Sequence, residues 1–224
     1  MEEKRRLNPI IPILSVLLAA AIGLCIFLWM GKSKAEKLAE EYKTSYDNLV
    51  EENEKAKKAE EEAKKEAAKV AKQYQEDYNA LVADMLDDAV LAENLGNLII
   101  NVWNNAIFSK ADEETDKYTK QNGKFVSDFN DALSNLWNDK ELNEQVSALS
   151  DNQKDIKDRM KNMLNPPEGF ESAFSALEAM YNSYISFTNI VLRCDGSLNS
   201  FSEDFSSADE SLSQLFTAAE LYVK

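Results

Sequence analysis

Hydrophobic residues recur every three or four positions from Tyr78 to the end of the chain, which is the period of an amphipathic helix. The last stripe is the clearest, and it consists of Leu198, Phe201, Phe205, Ala208, Leu212, Leu215, Ala219 and Tyr222. No segment alternates between apolar and polar residues over a useful length, so no sheet is predicted. The pattern therefore predicts an all-α chain.

Short breaks divide this region into four or five helices. The breaks are the polar stretch 109–123, the pair Asn138-Asp139, the triplet Asn165-Pro166-Pro167 and the triplet Asp195-Gly196-Ser197. Proline disfavours helix in the preceding residue and suits a first turn. Gly196 is expected in the left-handed conformation that ends a helix, and Ser197 as the N-cap of the next. Residues 79–224 are predicted to form an antiparallel helical bundle.

An uncharged apolar run precedes these stripes. Residues 10–30 can span a hydrocarbon core of roughly 30 Å, since an α-helix rises about 1.5 Å per residue. We therefore predict a transmembrane helix, whose marker residues are Ile10, Leu17, Leu24 and Trp29. Trp29 lies at the end of the run, where an indole prefers the membrane interface. Cleavage after Ala35 is the alternative, because Ser33-Lys34-Ala35 has small residues at the required spacing.

The charges beside the span decide its predicted orientation. Basic residues precede it in the short tail 1–9 and follow it at Lys32 and Lys34, so the positive-inside comparison is nearly balanced. A short basic tail before a first apolar segment is the usual signal-anchor arrangement. It favours a cytoplasmic N-terminus and an extracytoplasmic bundle, as a single-pass protein of the cell membrane.

A charged segment, residues 31–78, links the span to the bundle. No glycine or proline occurs between Lys32 and Leu95, and the stretch "EKAKKAEEEAKKEAAKVAKQ" is made of strong helix formers. One apolar column repeats every seven residues: Ala35, Tyr42, Leu49, Ala56, Ala63 and Val70. The companion columns are mixed, so two interpretations stay open: a single-helix spacer, or a weak coiled coil with a second copy or with a partner helix. The seam of that coiled coil, which would make a weak homodimer if the partner is a second copy, consists of Tyr42, Leu49, Ala56, Ala63 and Val70. A fresh helix could start at Ser33, or the membrane helix could continue.

Composition narrows the chemistry. The net charge of -15 argues against binding nucleic acid through its phosphates. The chain has no histidine, which removes the commonest general base and the commonest metal ligand. Acidic clusters such as Asp84, Asp87 and Asp88 are interpreted as solvated faces. We expect no catalytic site, no cofactor and no metal site.

One aromatic stripe could serve a partner. The segment "FESAFSALEAMYNSYISF" carries Phe170, Phe174, Tyr181 and Tyr184, and it is interpreted as core. If the bundle leaves part of it open, these four residues become a groove for a partner helix. Cys194 is interpreted as a packed structural residue.

The layout resembles that of small membrane-anchored helical proteins of Gram-positive bacteria. The basic tail, the span, the Glu/Lys/Ala stalk and the closing segment "NPPEGF…YNSYISFTNIVLRCDGSLNSFSEDF" carry the resemblance, which implies no activity. Three hypotheses follow. The first is a non-enzymatic, membrane-anchored adaptor or assembly protein that presents an acidic bundle to protein partners at the cell envelope. The second is a membrane-tethered scaffold facing the cytoplasm, for example of a division or secretion complex. The third is an enzyme with a polar pocket inside the bundle.

Overall fold

The computed structural model describes the backbone of residues 10–224 and the side chains of Leu18 and residues 20–224. Over these residues the chain is helical apart from one small hairpin. The elements are α1 (Ile10–Phe108), α2 (Asp116–Thr119), β1 (Lys120–Gln121), β2 (Lys124–Phe125), α3 (Phe129–Trp137), α4 (Lys140–Asn162), α5 (Glu171–Arg193) and α6 (Leu198–Glu220). The predicted all-α class is confirmed.

The sequence left open whether a new helix starts at Ser33 or the first helix continues, and α1 answers this question. It continues through Ser33 without a new start, so the apolar run and the charged stalk belong to one helix. The predicted transmembrane helix over residues 10–30 is not supported: wherever the structure describes side chains, no helix is both long and apolar enough to cross a membrane. The side chains of Ile10 and Leu17 lie outside the described residues.

The chain divides into two compact units, Met1–Lys65 and Glu66–Lys224. In the first unit, the described side chains are almost all exposed. Ion pairs between residues four apart support the helix there, including Lys55 with Glu51 at 2.6 Å and Lys65 with Glu61 at 2.8 Å. Exposed pairs of this kind contribute only about 0.2–0.5 kcal/mol each. The stalk helix therefore depends mainly on its strong helix formers.

The core of the second unit joins the stripes that the sequence predicts. Its largest fully buried side chains are Tyr78, Tyr184, Phe187, Phe201, Leu81, Met85, Leu95, Ile99, Leu136, Leu149, Ile156 and Met163. Helices α1 and α6 pack closely where Gly96 faces Phe205. A methyl group at position 96 would lie 2.1 Å from the phenyl ring, so only glycine fits there.

Side-chain caps start three of the bundle helices, the first being α3, where Asp128 accepts a hydrogen bond from the backbone N–H of Asn130. Asp139 accepts hydrogen bonds from the backbone N–H groups of Glu141 and Leu142 and begins α4. Ser197 begins α6 as predicted, in a capping box with Ser200. The end of α5 differs from the prediction, because Cys194 itself takes the left-handed conformation at φ 45°. Gly196 also has a positive φ, but it lies three residues beyond Arg193, the last residue of α5.

The prediction of no sheet is wrong at one place. Strands β1 and β2 form a two-stranded antiparallel hairpin with Lys120 opposite Phe125. Asn122 and Gly123 connect the strands, and both have positive φ, as a tight hairpin turn requires. Two-residue strands are too short to show an alternating pattern. The Asn-Gly pair was the only available signal for this hairpin.

Buried tyrosines make the bundle sensitive to alkali. Burial raises the pKa of Tyr74 and of Tyr78 from 10 to about 12, and it also raises the pKa of Tyr184. Above pH 10 the unfolded chain loses phenolic protons that the folded chain keeps, so the free energy of unfolding should fall as the pH rises. Urea unfolding at pH 8 and pH 11 measures this loss. The loss should be smaller in Tyr78→Phe than in Tyr46→Phe, a control in the exposed stalk; equal losses would contradict the assignment.

Candidate binding cleft

The predicted membrane and stalk residues lie on exposed helix surface. Leu24 and Trp29 expose 64% and 71% of their surface, and no described residue packs over them. The stalk residues Tyr42, Leu49, Ala56, Ala63 and Val70 are exposed as well. In the single chain, the side chains of both the predicted membrane residues and the predicted stalk residues are therefore accessible to another molecule.

The predicted partner groove is closed. Tyr184 is fully buried, so it cannot line an open surface. Phe170 packs edge-to-face against Tyr74 with ring centroids 5.1 Å apart. Phe174 and Tyr181 are half-buried and pack on the core. This stripe is structural, in agreement with its interpretation as core.

The acidic cluster on α1 is not a uniformly solvated face. Asp88 is only 4% exposed. It accepts hydrogen bonds from the Tyr184 hydroxyl at 2.7 Å and from the Asn152 amide at 2.6 Å, which link α1 to α5 and α4. Asp84, one turn earlier, forms an ion pair with Arg159 of α4. Asp87 is exposed and the Asp84 side chain is 48% exposed, so the solvated interpretation is wrong for Asp88 only.

The bundle has a different, polar cleft of about 460 Å³. It lies between the C-terminal part of α1, the segment around α2 and the start of α4. Its polar lining is Asn94, Asn97, Asn101, Glu114, Lys117, Tyr118, Asp139, Glu141 and Gln145. Leu95 and Leu142, both buried core residues, lie beneath it. We call this site the amide cleft.

A fixed charged corner forms one side of the amide cleft. One oxygen of Asp139 caps α4, and the other accepts hydrogen bonds from Tyr118 at 2.7 Å and from Lys117 at 3.0 Å. These bonds hold the pKa of Asp139 well below its usual range. The bonds to Tyr118 and Asp139 raise the pKa of Lys117, whose ammonium lies 4.5 Å from the Tyr118 ring centroid. The corner keeps its charges throughout the physiological pH range.

Carboxamides form the opposite side. Asn94, Asn97 and Asn101 follow one another at spacings of three and four on α1, so they share a face. Gln145 of α4 joins them across the cleft. Within the described residues, none of these four side chains has a hydrogen-bond partner in the protein. Their donors and acceptors are available to a ligand.

The lining of the amide cleft offers mainly groups that form hydrogen bonds. Carboxamides donate and accept hydrogen bonds but do not exchange protons near neutral pH. Asp139 and Lys117 neutralise one another, and the cysteine of the bundle, Cys194, is not among the lining residues. Among the described residues, no group of three or more Cys, Asp or Glu side chains is placed to hold a metal ion.

Sequence reasoning missed the amide cleft because its residues come from three separate segments. One signal was present: asparagine is a mediocre helix former, yet α1 carries Asn94, Asn97, Asn101, Asn104 and Asn105 within twelve positions. Asn105 is buried and bonded to Thr115, and so has a structural role. The others lie at or near the surface.

Fold and cleft together define an all-α protein whose bundle carries a polar cleft. Comparison with known proteins takes this no further: no family model, no curated protein and no solved structure matches the chain.

Asp139 both caps α4 and carries the negative charge that pairs with Lys117, and two substitutions separate these roles. Asp139→Ala removes the cap of α4 and the acceptor for Lys117 and Tyr118, so we expect a clear drop in melting temperature. Asp139→Asn keeps a good capping residue but removes the charge, so its drop should be smaller and largely abolished by added salt. Thermal unfolding followed by circular dichroism measures both. Equal drops in the two variants would assign the whole effect to the charge.

Proposed function

We propose that this protein is a single-pass, membrane-anchored and non-enzymatic adaptor that presents an acidic helical bundle to protein partners at the cell envelope. The observation that carries the proposal is the unpartnered apolar surface at the start of α1. From Leu18 to Met30 the exposed large apolar residues are Leu18, Ile22, Leu24, Ile26, Phe27, Leu28, Trp29 and Met30.

A bilayer is the partner that fits this surface. The residues lie on every side of the helix rather than on one stripe, and a helix that is apolar all round is typical of a core or a membrane span. By sequence, the uncharged stretch extends from Leu7 to Gly31. Lys32 and Lys34 then follow, as expected of charges at an interface.

The amide cleft supports the proposed binding of a protein partner by the bundle. Unsatisfied carboxamides on a helix face can bind the N–H and C=O groups of an extended polypeptide, which offers both donors and acceptors. The apolar floor of Leu95 and Leu142 adds contact area. A protein partner is also consistent with the acidic surface, which disfavours nucleic acid.

The favoured orientation puts the N-terminus in the cytoplasm and the bundle outside. The alternative is a scaffold facing the cytoplasm. It shares the anchor and the cleft, and it differs only in the side of the membrane on which the bundle acts.

Removal of residues 2–31 tests the anchor. In cells, the full chain should stay with the membrane fraction after an alkaline carbonate wash and should be released by detergent. The shortened chain should be soluble in the same fractions. A variant that replaces exposed apolar residues of the stalk, Tyr42→Ser with Leu49→Ser, controls for loss of hydrophobicity elsewhere. Release of the full chain by carbonate alone would contradict the proposal.

A surface cysteine tests the orientation. Cys194 is a poor probe, because burial raises the pKa of its thiol to about 11 and leaves little reactive thiolate at neutral pH. Glu113→Cys, at an exposed position before α2, is a better probe in a background without native cysteines. Labelling by an impermeant maleimide in intact cells supports the adaptor at the envelope. Labelling only after lysis supports the cytoplasmic scaffold.

A further inference from the structure

An apolar face of the stalk is exposed in the single chain. Tyr42, Tyr46 and Leu49 expose 70%, 67% and 61% of their surface. They follow one another at about one turn apart on α1, and nothing described in the chain covers them. This face, which we call the stalk seam, extends from Ala35 to Ala63.

The residues of the stalk seam follow the heptad spacing of a coiled-coil core. With Ala35, Tyr42, Leu49, Ala56 and Ala63 at the d positions of a heptad, the a positions are Ala39, Tyr46, Asn53 and Glu60. The d column is apolar throughout. Asn53 is a lone asparagine at an a position, next to the bulkiest part of the seam. A single asparagine there is the residue that fixes register and favours two strands in parallel coiled coils.

Charges beside the seam select the direction. In a parallel pair, each g position faces the next e position of the other chain. Glu52 at g would face Lys57 at e of the second copy, once on each side of the pair. Neither has an ion-pair partner in the described part of its own chain, although several neighbouring stalk charges do.

The antiparallel arrangement is disfavoured by the same charges. It would place e positions beside e positions, and these are Glu36, Lys43, Val50, Lys57 and Lys64. Lysine, at three of the five, would then lie against lysine in part of the pair. Like charges in contact destabilise pairing and set partner orientation.

We propose that a second copy of this chain covers the stalk seam, in parallel and in register, through Tyr42, Tyr46, Leu49 and Asn53. The inference rests on the proposed membrane anchor, because alanine fills much of the seam and makes pairing weak in solution. Anchoring raises the effective concentration of one copy near another and aligns their N-termini. The adaptor is then a dimer that presents two bundles.

Cysteine cross-linking in membranes tests the pairing. In the full chain with Cys25→Ser and Cys194→Ser, Leu49→Cys places a thiol at a d position and Lys58→Cys places one on the opposite face. Mild oxidation should convert the first variant to disulfide-linked dimer at least about tenfold faster than the second, as expected of core against outer positions. Equal rates would overturn the proposal, and so would a Leu49→Cys chain that remains monomeric. Leu49→Cys bound to a different protein would also overturn it.

A charge swap tests direction and register. Glu52→Lys or Lys57→Glu alone should lower the cross-linked fraction of Leu49→Cys about fivefold, since each removes two interchain ion pairs. The double variant should recover it. Residues five apart do not face each other on one helix, so recovery cannot arise within a chain. Failure to recover would contradict the parallel register.

Different results would contradict the proposed membrane anchor and the proposed parallel dimer. A chain that stays in the membrane but does not cross-link would exclude the dimer and leave the anchor in place. The chain could instead be absent from the membrane fraction but cross-link at high concentration. That result would exclude the membrane anchor and leave the dimer through the stalk seam in place.

Discussion

Gly96→Ala is expected to destabilise the bundle by about 2 kcal/mol, although alanine is the better helix former. The helix term favours alanine by about 1 kcal/mol. Overpacking works against it, because the new methyl group would lie 2.1 Å from the Phe205 ring. That ring is buried and stacks on Phe201 with centroids 6.1 Å apart, so it cannot swing aside freely. Overpacking of this kind costs about 3 kcal/mol, which outweighs the helix term. Urea unfolding of the full chain in detergent measures the difference.

Two further variants test whether the loss of stability comes from the contact between position 96 and Phe205. Gly31→Ala is the matched control, because the same helix has open space at that position. Its effect should be neutral or slightly stabilising. Phe205→Leu should relieve part of the clash, so the double variant should lose less than the sum of the single losses. A Gly96→Ala variant as stable as the parent would show that α1 and α6 do not approach so closely.

Asp88→Ala is expected to cost about 2 kcal/mol, because it leaves the fully buried Tyr184 hydroxyl without an acceptor. The Tyr184 hydroxyl and the Asn152 amide both donate to this carboxylate. Asn152 is exposed, so water can replace its lost acceptor. The same unfolding measurement gives the value.

Asp87→Ala is the control at the neighbouring position. Asp87 is exposed, so its replacement should change the free energy of unfolding by no more than about 0.5 kcal/mol. Tyr184→Phe should fall between the two, since it removes one of the two donors. Equal effects of Asp87→Ala and Asp88→Ala would show that Asp88 is solvated, as the sequence alone suggested.

Most of the fold could be predicted because helix periodicity carries through long segments. The stripe from Leu198 to Tyr222 corresponds to α6, and Ser197 is its N-cap. The hairpin could not be predicted in the same way, because two-residue strands have no period. Cys194 takes the left-handed position expected of Gly196, since the helix ends two residues earlier than the glycine indicates.

The functional features were harder to predict, for a different reason. Asp88 lies between Met85 and Ala92 on an apolar stripe, but its acidic neighbours led to its interpretation as solvated. The partners Asn152 and Tyr184 lie 64 and 96 residues away in sequence, beyond the reach of local patterns. The amide cleft likewise depends on three segments that only the tertiary fold brings together. Stalk and anchor are local in sequence, so their patterns could be analysed directly.

Fluorescence of Trp29 tests the membrane anchor most directly. With Trp103→Phe and Trp137→Phe, Trp29 is the only tryptophan in the full chain. After reconstitution into vesicles, lipids brominated near the headgroup should quench it strongly, and lipids brominated near the chain end should quench it less, as expected of an interfacial indole. A version that also lacks Trp29 gives the background. Quenching in this order is the predicted result. Emission unaffected by either lipid, from protein that stays outside the vesicles, would contradict the anchor and with it the proposed function.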